Sequence, residues 1–189
     1  MEKTFFDGYV NRLLASFSGF DGDKIADLAG SLRKAWEEGR QVFICGNGGS
    51  AANALHIAND LFYGKAAKKT GKGIRAHALP ANQSVVTCLA NDVSYDEIFS
   101  RQLSVLGNPG DLLLVLSGSG NSANIVKALE TAKKMGMKTY AILGYSGGKC
   151  LGLADVPLHF AVHDMQISED IQLIVGHMIM QWLCENPPA

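Results

Sequence analysis

The segment Asp111-Leu-Leu-Leu-Val-Leu116 runs directly into Ser-Gly-Ser-Gly-Asn-Ser122 and then into a helical pattern that reaches Met135. A strand with one wet face alternates apolar and polar residues. An unbroken apolar run must be covered on both faces, as in a parallel sheet with helices above and below. The same succession occurs earlier: Gln41 to Cys45 is a short apolar strand, Gly46-Asn47-Gly48-Gly49 a turn, and a helix follows to about Phe62, with Ser50 placed to N-cap it. Ile74 to Leu79, Lys138 to Leu143 and Val156 to Phe160 read as further strands. Val85 to Ala90, Ile98 to Leu106 and Ile167 to Leu183 read as helices, and the Lys- and Gly-rich stretch from Gly64 to Gly73 as a mobile loop. Two amphipathic patterns, Tyr9/Leu13/Leu14/Phe17 and Ile25/Leu28/Leu32/Trp36, precede the first strand. The alternation predicts an α/β fold with a doubly wound parallel sheet and two N-terminal helices, as one domain spanning residues 1–189.

Bulk properties narrow the function classes. The 17 Lys and Arg nearly cancel the 18 Asp and Glu, so no broad field attracts nucleic acid or an anionic membrane, and neither is expected as a partner. An anionic ligand must be held by a local site. Cys45, Cys88, Cys150 and Cys184 are scattered and read as reduced thiols. The first residues lack the order of a signal peptide, and no apolar run is long enough for a bilayer, so a cytoplasmic location is expected.

Ligands of doubly wound sheets bind at the carboxyl ends of strands. Two turns stand there with anion-binding character. Gly46-Asn47-Gly48-Gly49-Ser50 lets backbone approach a ligand and offers the free N–H groups of a helix start. Ser117-Gly118-Ser119-Gly120-Asn121-Ser122 adds three hydroxyls. Neither carries the Gly-Lys-Ser/Thr ending of a nucleotide P-loop nor the Gly-x-Gly-x-x-Gly dinucleotide spacing, which points to a phosphorylated ligand without a nucleotide. Downstream, His56 and Asp60 share a helix face at i, i+4 spacing, and the last helix carries Glu169, Gln172 and His177. Imidazoles and carboxylates in one cleft suit a divalent metal or proton transfer.

These motifs resemble a known family. Phe43-Ile-Cys-Gly-Asn-Gly-Gly-Ser-Ala-Ala-Asn-Ala-Leu-His56-Ile-Ala-Asn-Asp60 looks like the first signature of bacterial phosphoheptose isomerases, and Leu116-Ser-Gly-Ser-Gly-Asn-Ser-Ala-Asn124 like their serine-rich phosphate loop. Thr87-Cys-Leu-Ala-Asn91-Asp92, Ile98-Phe-Ser-Arg101-Gln102 and Gly147-Gly148 match intervening and later segments in order and spacing. The resemblance implies a five-stranded, flavodoxin-like SIS (sugar isomerase) fold. It implies an aldose–ketose isomerase that converts sedoheptulose 7-phosphate to D-glycero-D-manno-heptose 7-phosphate for surface polysaccharide such as lipopolysaccharide, a homotetramer with sites near subunit contacts, and zinc, one per subunit. Carried over, Asn47, Gly48, Gly49, Ser50, Asn91, Asp92 and Gln172 would contact the sugar, and Ser117, Gly118, Ser119 and Ser122 the phosphate. His56, Asp60, Glu169 and His177 would hold the metal, with Asp60, His177 and Glu169 as the catalytic acid–base set.

The chain departs from the family pattern in places. Asp60 stands where Glu is usual, and Gly64-Lys65 where many members have an Arg. On the last helix the family has Gln followed eight residues later by His. Anchoring on Gln172 puts Met180 at the His, whereas anchoring on Gly176-His177 puts Glu169 at the Gln and keeps every polar position polar. Residues eight apart lie about 80° apart around a helix, so both are expected to border one cleft. The rival reading is a non-catalytic tetramer of the same fold that binds a replication initiator or senses a sugar phosphate. It needs no acid–base set.

Overall fold

The computed structural model of the chain describes residues 2–64, 68 and 70–188. In chain order the elements are α1 (Lys3–Ser16), α2 (Asp23–Glu38), β1 (Gln41–Cys45), α3 (Gly49–Tyr63), β2 (Arg75–Ala78), α4 (Gln83–Asp92), α5 (Ser100–Leu106) and β3 (Leu112–Ser117). Then follow α6 (Ala123–Lys134), β4 (Lys138–Leu143), α7 (Gly148–Leu153), β5 (Val156–His159) and α8 (Met165–Glu185). The five strands form one parallel sheet in the order β2-β1-β3-β4-β5.

Strand side chains alternate between two cores. Val42, Ile44, Leu112, Leu114 and Leu116 face a cluster completed by α2, α3 and α8. Phe43, Cys45, Leu113 and Val115 face a second cluster against α5 and α6. Both faces are therefore dry, which is why β1 and β3 read as continuous apolar runs.

Several boundaries differ from the expected ones for local reasons. Asp164 caps α8 by accepting from Ile167 N (3.2 Å), so that helix begins two residues earlier than its apolar pattern. Pro80 sits in a 3-10 turn, Leu79–Ala81, that ends β2 at Ala78, and a second such turn, Tyr95–Glu97, delays α5 to Ser100. Ser50 does not cap α3. The cap position is Gly48, at φ 56° and ψ −123°, a conformation open to glycine, and Ser50 lies inside the first turn. Of the stretch from Gly64 to Gly73 expected as a loop, residues 65–67 and 69 lie outside the described residues.

At the opposite end of the sheet, buried Asp111 accepts from Gln41 N (2.9 Å), Gln41 Nε2 (3.2 Å) and Asn108 N (2.9 Å), joining the starts of β1 and β3. Asp111→Ala leaves these donors without their acceptor, and a destabilisation of about 3 kcal/mol is expected. Calorimetry should show a melting temperature lower by roughly 6–12 °C.

Candidate functional site

The strand order reverses direction between β1 and β3, the place where doubly wound sheets form a ligand crevice at the carboxyl ends of their strands. The glycine loop follows β1 and the serine loop follows β3, so the two stand side by side at this switch point. Asn47 and Asn124 tie them together: Asn47 Nδ2 donates to Asn124 Oδ1 (2.9 Å), and Asn124 Nδ2 donates back to Asn47 Oδ1 (2.8 Å). The Tyr95 hydroxyl also donates to Asn47 Oδ1 (3.1 Å). The Asn47 amide thus braces the two loops, and Asn124 and Tyr95 join the site as residues that motif reading passed over. A buried Asn on the apolar face of α6 was the available signal for Asn124.

Within the serine loop the hydroxyls have unequal duties. Ser117 is buried, and its Oγ accepts from Gly120 N (3.0 Å), shaping the turn. Ser119 Oγ accepts from Asn121 N (3.3 Å). Ser122 occupies the N-cap of α6, and its side chain makes no capping bond to that helix.

The start of α8 closes the crevice. A side chain on Gly118 or Gly144 would strike Met165 or Ser168, and one on Gly49 would strike both carboxylate oxygens of Glu169. From there α3 and α8 run side by side in the same direction. Asn53 Nδ2 donates to Glu169 O (2.9 Å) and to Gln172 Oε1 (2.9 Å), and Gln172 Nε2 donates to Ser50 Oγ (3.0 Å). One turn further, Gly176 leaves room only for Ile57. Gln172 is 1% exposed and Ser50 4%. Both were expected at the sugar, yet their polar atoms are engaged with each other inside the helix pair.

Further along, three expected residues come together. His56 Nε2 lies 2.9 Å from His177 Nε2 and 3.4 Å from Asp60 Oδ2, which is 3.8 Å from His177 Nε2. Ligand atoms of a tetrahedral zinc stand about 3.3–3.4 Å apart, and these separations bracket that value. The group is partly open to solvent, so an ion would keep an exchangeable position. It borders a cavity of 380 Å³ lined by Tyr63, Lys68, Met180 and Cys184 among others. Met180, the alternative to His177 in the other register, packs over Gly64.

Glu169 does not join this group. Eight residues of helix separate it from His177, an axial rise of about 12 Å, which outweighs their angular closeness. Asn91 and Asp92 end α4, exposed, with Asn91 Nδ2 donating to Asp92 Oδ1 (2.7 Å) and Cys88 Sγ to Asp92 Oδ2 (3.4 Å). Those two bonds, Asn91's first, hold the Asp92 carboxyl below the usual range. All four cysteines are free thiols. Burial pushes Cys45 far up and Cys150 up to about 11, so neither is a thiolate nucleophile at neutral pH.

Comparison with known proteins agrees with this arrangement. The family model of the SIS domain matches residues 5–144. The phosphoheptose isomerase of Chlorobaculum parvum is 40% identical over 176 residues, covering 92% of this chain and 83% of that protein. A probable phosphoheptose isomerase of Thermoplasma acidophilum is 39% identical over 164 residues, covering 87% and 89%. The solved structure of a phosphoheptose isomerase from Francisella tularensis superposes with a TM-score of 0.88 at 26% identity, covering 96% of this chain and 95% of that one. With its five-stranded sheet, paired loops and sequence relatives in agreement, the chain belongs to the SIS-domain family and, within it, to the phosphoheptose isomerases, and it is an enzyme that interconverts an aldose and a ketose sugar phosphate.

Proposed function

We propose that the substrate is sedoheptulose 7-phosphate, converted to D-glycero-D-manno-heptose 7-phosphate for surface polysaccharide such as lipopolysaccharide. The observation that carries this reading is the pair of loops joined by Asn47 and Asn124 at the β1/β3 switch point, with hydroxyls and helix N–H groups on one side and a carboxylate on the other. The phosphate sits in the serine loop, on Ser119, Ser122 and the N–H groups opening α6, with Ser117 and Gly118 shaping the turn. Gly48 and Gly49 admit the sugar close to backbone, and Asn91 and Asp92 reach its hydroxyls. Anchoring the phosphate, remote from the reacting carbons, orients the open-chain sugar.

His56, Asp60 and His177 form the metal site, with zinc as the fitting ion, one per subunit. A zinc ion bound there supplies a Lewis acid able to stabilise an enediolate oxygen. His177 and Asp60 are in turn oriented by each other and by His56. Along α3, His56 and Asp60 lie seven and eleven residues past Gly49, or about 10 and 16 Å. The cluster therefore serves a crevice other than its own chain's, or the far end of a long sugar. A homotetramer accommodates the first arrangement. In its support, α1 buries none of its residues and leaves Phe5, Phe6 and Leu14 exposed, and α8 exposes Met178 and Trp182. A replication-initiator scaffold would need neither the cluster nor a carboxylate against the glycine loop.

The test is to offer the purified protein ketose phosphates of five, six and seven carbons and to follow the aldose phosphate by NMR. Turnover is expected to be greatest with the seven-carbon substrate, and light scattering is expected to show a tetramer. Equal or greater turnover of a shorter sugar would displace the heptose assignment.

A further inference from the structure

We propose that Asn121 is a positioning residue for the substrate's phosphate: its side chain pins the Ser119–Gly120 peptide so that the carbonyls of the serine loop stay turned from the anion. This role rests on the reading above that the phosphate sits in that loop, and it adds what keeps the loop fit to receive one.

An anion is attracted by N–H dipoles and repelled by C=O dipoles, so a backbone loop that binds one has to commit its carbonyls elsewhere. The four carbonyls from Ser117 to Gly120 are all committed. Gly144 N donates to Ser117 O (3.4 Å) and Gly118 O (3.1 Å), and Cys150 N donates to Gly120 O (3.0 Å). Ser119 O accepts from Asn121 Nδ2 (3.2 Å). The N–H groups of Ser119 and Ser122, by contrast, donate to no acceptor among the described residues.

The backbone donors come from the segment after β4 that carries Gly147-Gly148, and that segment is pressed against the serine loop. A side chain on Gly120, at φ 66°, would strike Gly147 O, and one on Gly148, at φ 52°, would strike Ser119 O and the Asn121 amide. Tyr145 takes φ 44°, the one positive value outside glycine among the described residues. It is held there by His159 Nε2, which donates to its carbonyl (2.9 Å), and by its own N–H, which donates to Val162 O (3.0 Å). Backbone strain of this kind persists where the surroundings fix it, and it collects at binding sites.

Three of the four carbonyls are thus held by backbone. Only Ser119 O is held by a side chain. It also belongs to the peptide that turns over most easily, because Gly120 follows it and glycine accepts either sign of φ. Asn121 blocks that turn as a bridge: Nδ2 donates to Ser119 O while Oδ1 accepts from Lys149 N (3.1 Å), which ties the serine loop to the start of α7. At the other edge of the same peptide, Gly120 N donates to Ser117 Oγ (3.0 Å). Without the Asn121 amide the Ser119 carbonyl is free to swing toward the phosphate and repel it.

Two variants break this contact from opposite sides. Asn121→Ala removes the bridge, and Gly148→Ala drives a methyl group against both of its ends. Calorimetry measures the binding of inorganic phosphate and of sedoheptulose 7-phosphate, with KM, kcat and melting temperature beside it. In each variant both ligands are expected to bind at least about fivefold more weakly, with KM raised to match and kcat within about threefold of wild type. The double variant should bind no more weakly than the weaker single one, because both changes act on one contact. The melting temperature without phosphate should stay within about 6 °C of wild type. Affinity of Asn121→Ala within about twofold of wild type overturns the proposal. So does a fall in kcat at unchanged KM. Losses that add in the double variant, or an Asn121→Ala chain that does not fold, overturn it as well, since the residue would then serve the fold at large. Wild-type protein that binds neither ligand, or a Ser119→Ala/Ser122→Ala variant that binds both as tightly as wild type, defeats the placement of the phosphate itself, a result obtained with Asn121 intact.

Discussion

If the His56/Asp60/His177 group holds zinc as proposed, replacing His177 by alanine is expected to abolish metal binding and to lower isomerase turnover by at least about a hundredfold. Three side chains converge on one point, and His177 Nε2 lies within 2.9 Å of His56 Nε2 and 3.8 Å of Asp60 Oδ2. Two ligands, adjacent on one helix, hold a divalent ion far more weakly than three drawn from two helices, since the third fixes the ion's position as well as its charge balance. His177 makes its contacts at a partly exposed site, so the truncation leaves no cavity in the core and the fold should persist. Met180→Ala supplies the contrast. Its methyl packs over Gly64 at the edge of the same cavity, and its loss should cost some stability while zinc content and turnover stay within a few fold. Metal analysis beside steady-state kinetics decides the matter. A His177→Ala protein that keeps one zinc per chain would place the ion elsewhere.

Much of this arrangement is legible from residue order because short-range rules govern it. The apolar run of β3 demands cover on both faces and so a parallel sheet. His56 and Asp60 share a helix face by spacing alone. The register of α8 is readable from Gly176: a helix pair as close as α3 and α8 needs a residue without a side chain opposite Ile57, and that choice puts His177 beside His56. What escapes is geometry along the helix axis. Glu169 and His177 are near neighbours in angular projection, but the projection discards the rise that separates them, and only the pairing of Gly49 with Glu169 shows at which level each stands. The mutual bonding of Ser50 and Gln172 escapes for a different reason. Polar residues beside a glycine loop look available to a ligand, but parallel packing of α3 on α8 turns them toward each other, and a buried pair must satisfy itself.

Replacing both Ser119 and Ser122 by alanine is expected to weaken sugar-phosphate binding by at least tenfold while the melting temperature stays within a few degrees of wild type. A hydrogen bond to a charged group contributes roughly 1.5–3 kcal/mol, so one hydroxyl in contact with the phosphate already accounts for about tenfold, and two for more. The choice of serines follows from their bonding. Ser117 is left intact because its buried Oγ accepts from Gly120 N, and its loss would reshape the turn and confound the result. The Ser119 hydroxyl accepts one bond, from Asn121 N at 3.3 Å, near the limit of a useful contact, and the Ser122 side chain makes no capping bond. Neither hydroxyl therefore does much for the stability of the fold, and what they contribute is expected to appear when an anion binds. The N–H groups opening α6 remain in the double variant, so residual binding is expected rather than none, and it should weaken with salt as a dipole interaction does. Because phosphate binding is remote from the reacting carbons, turnover of saturated enzyme should fall less than affinity, unless the sugar depends on that anchor to present C1 to its base. Calorimetry with sedoheptulose 7-phosphate measures the first effect and steady-state kinetics the second. Affinity unchanged in the double variant would move the phosphate out of the serine loop.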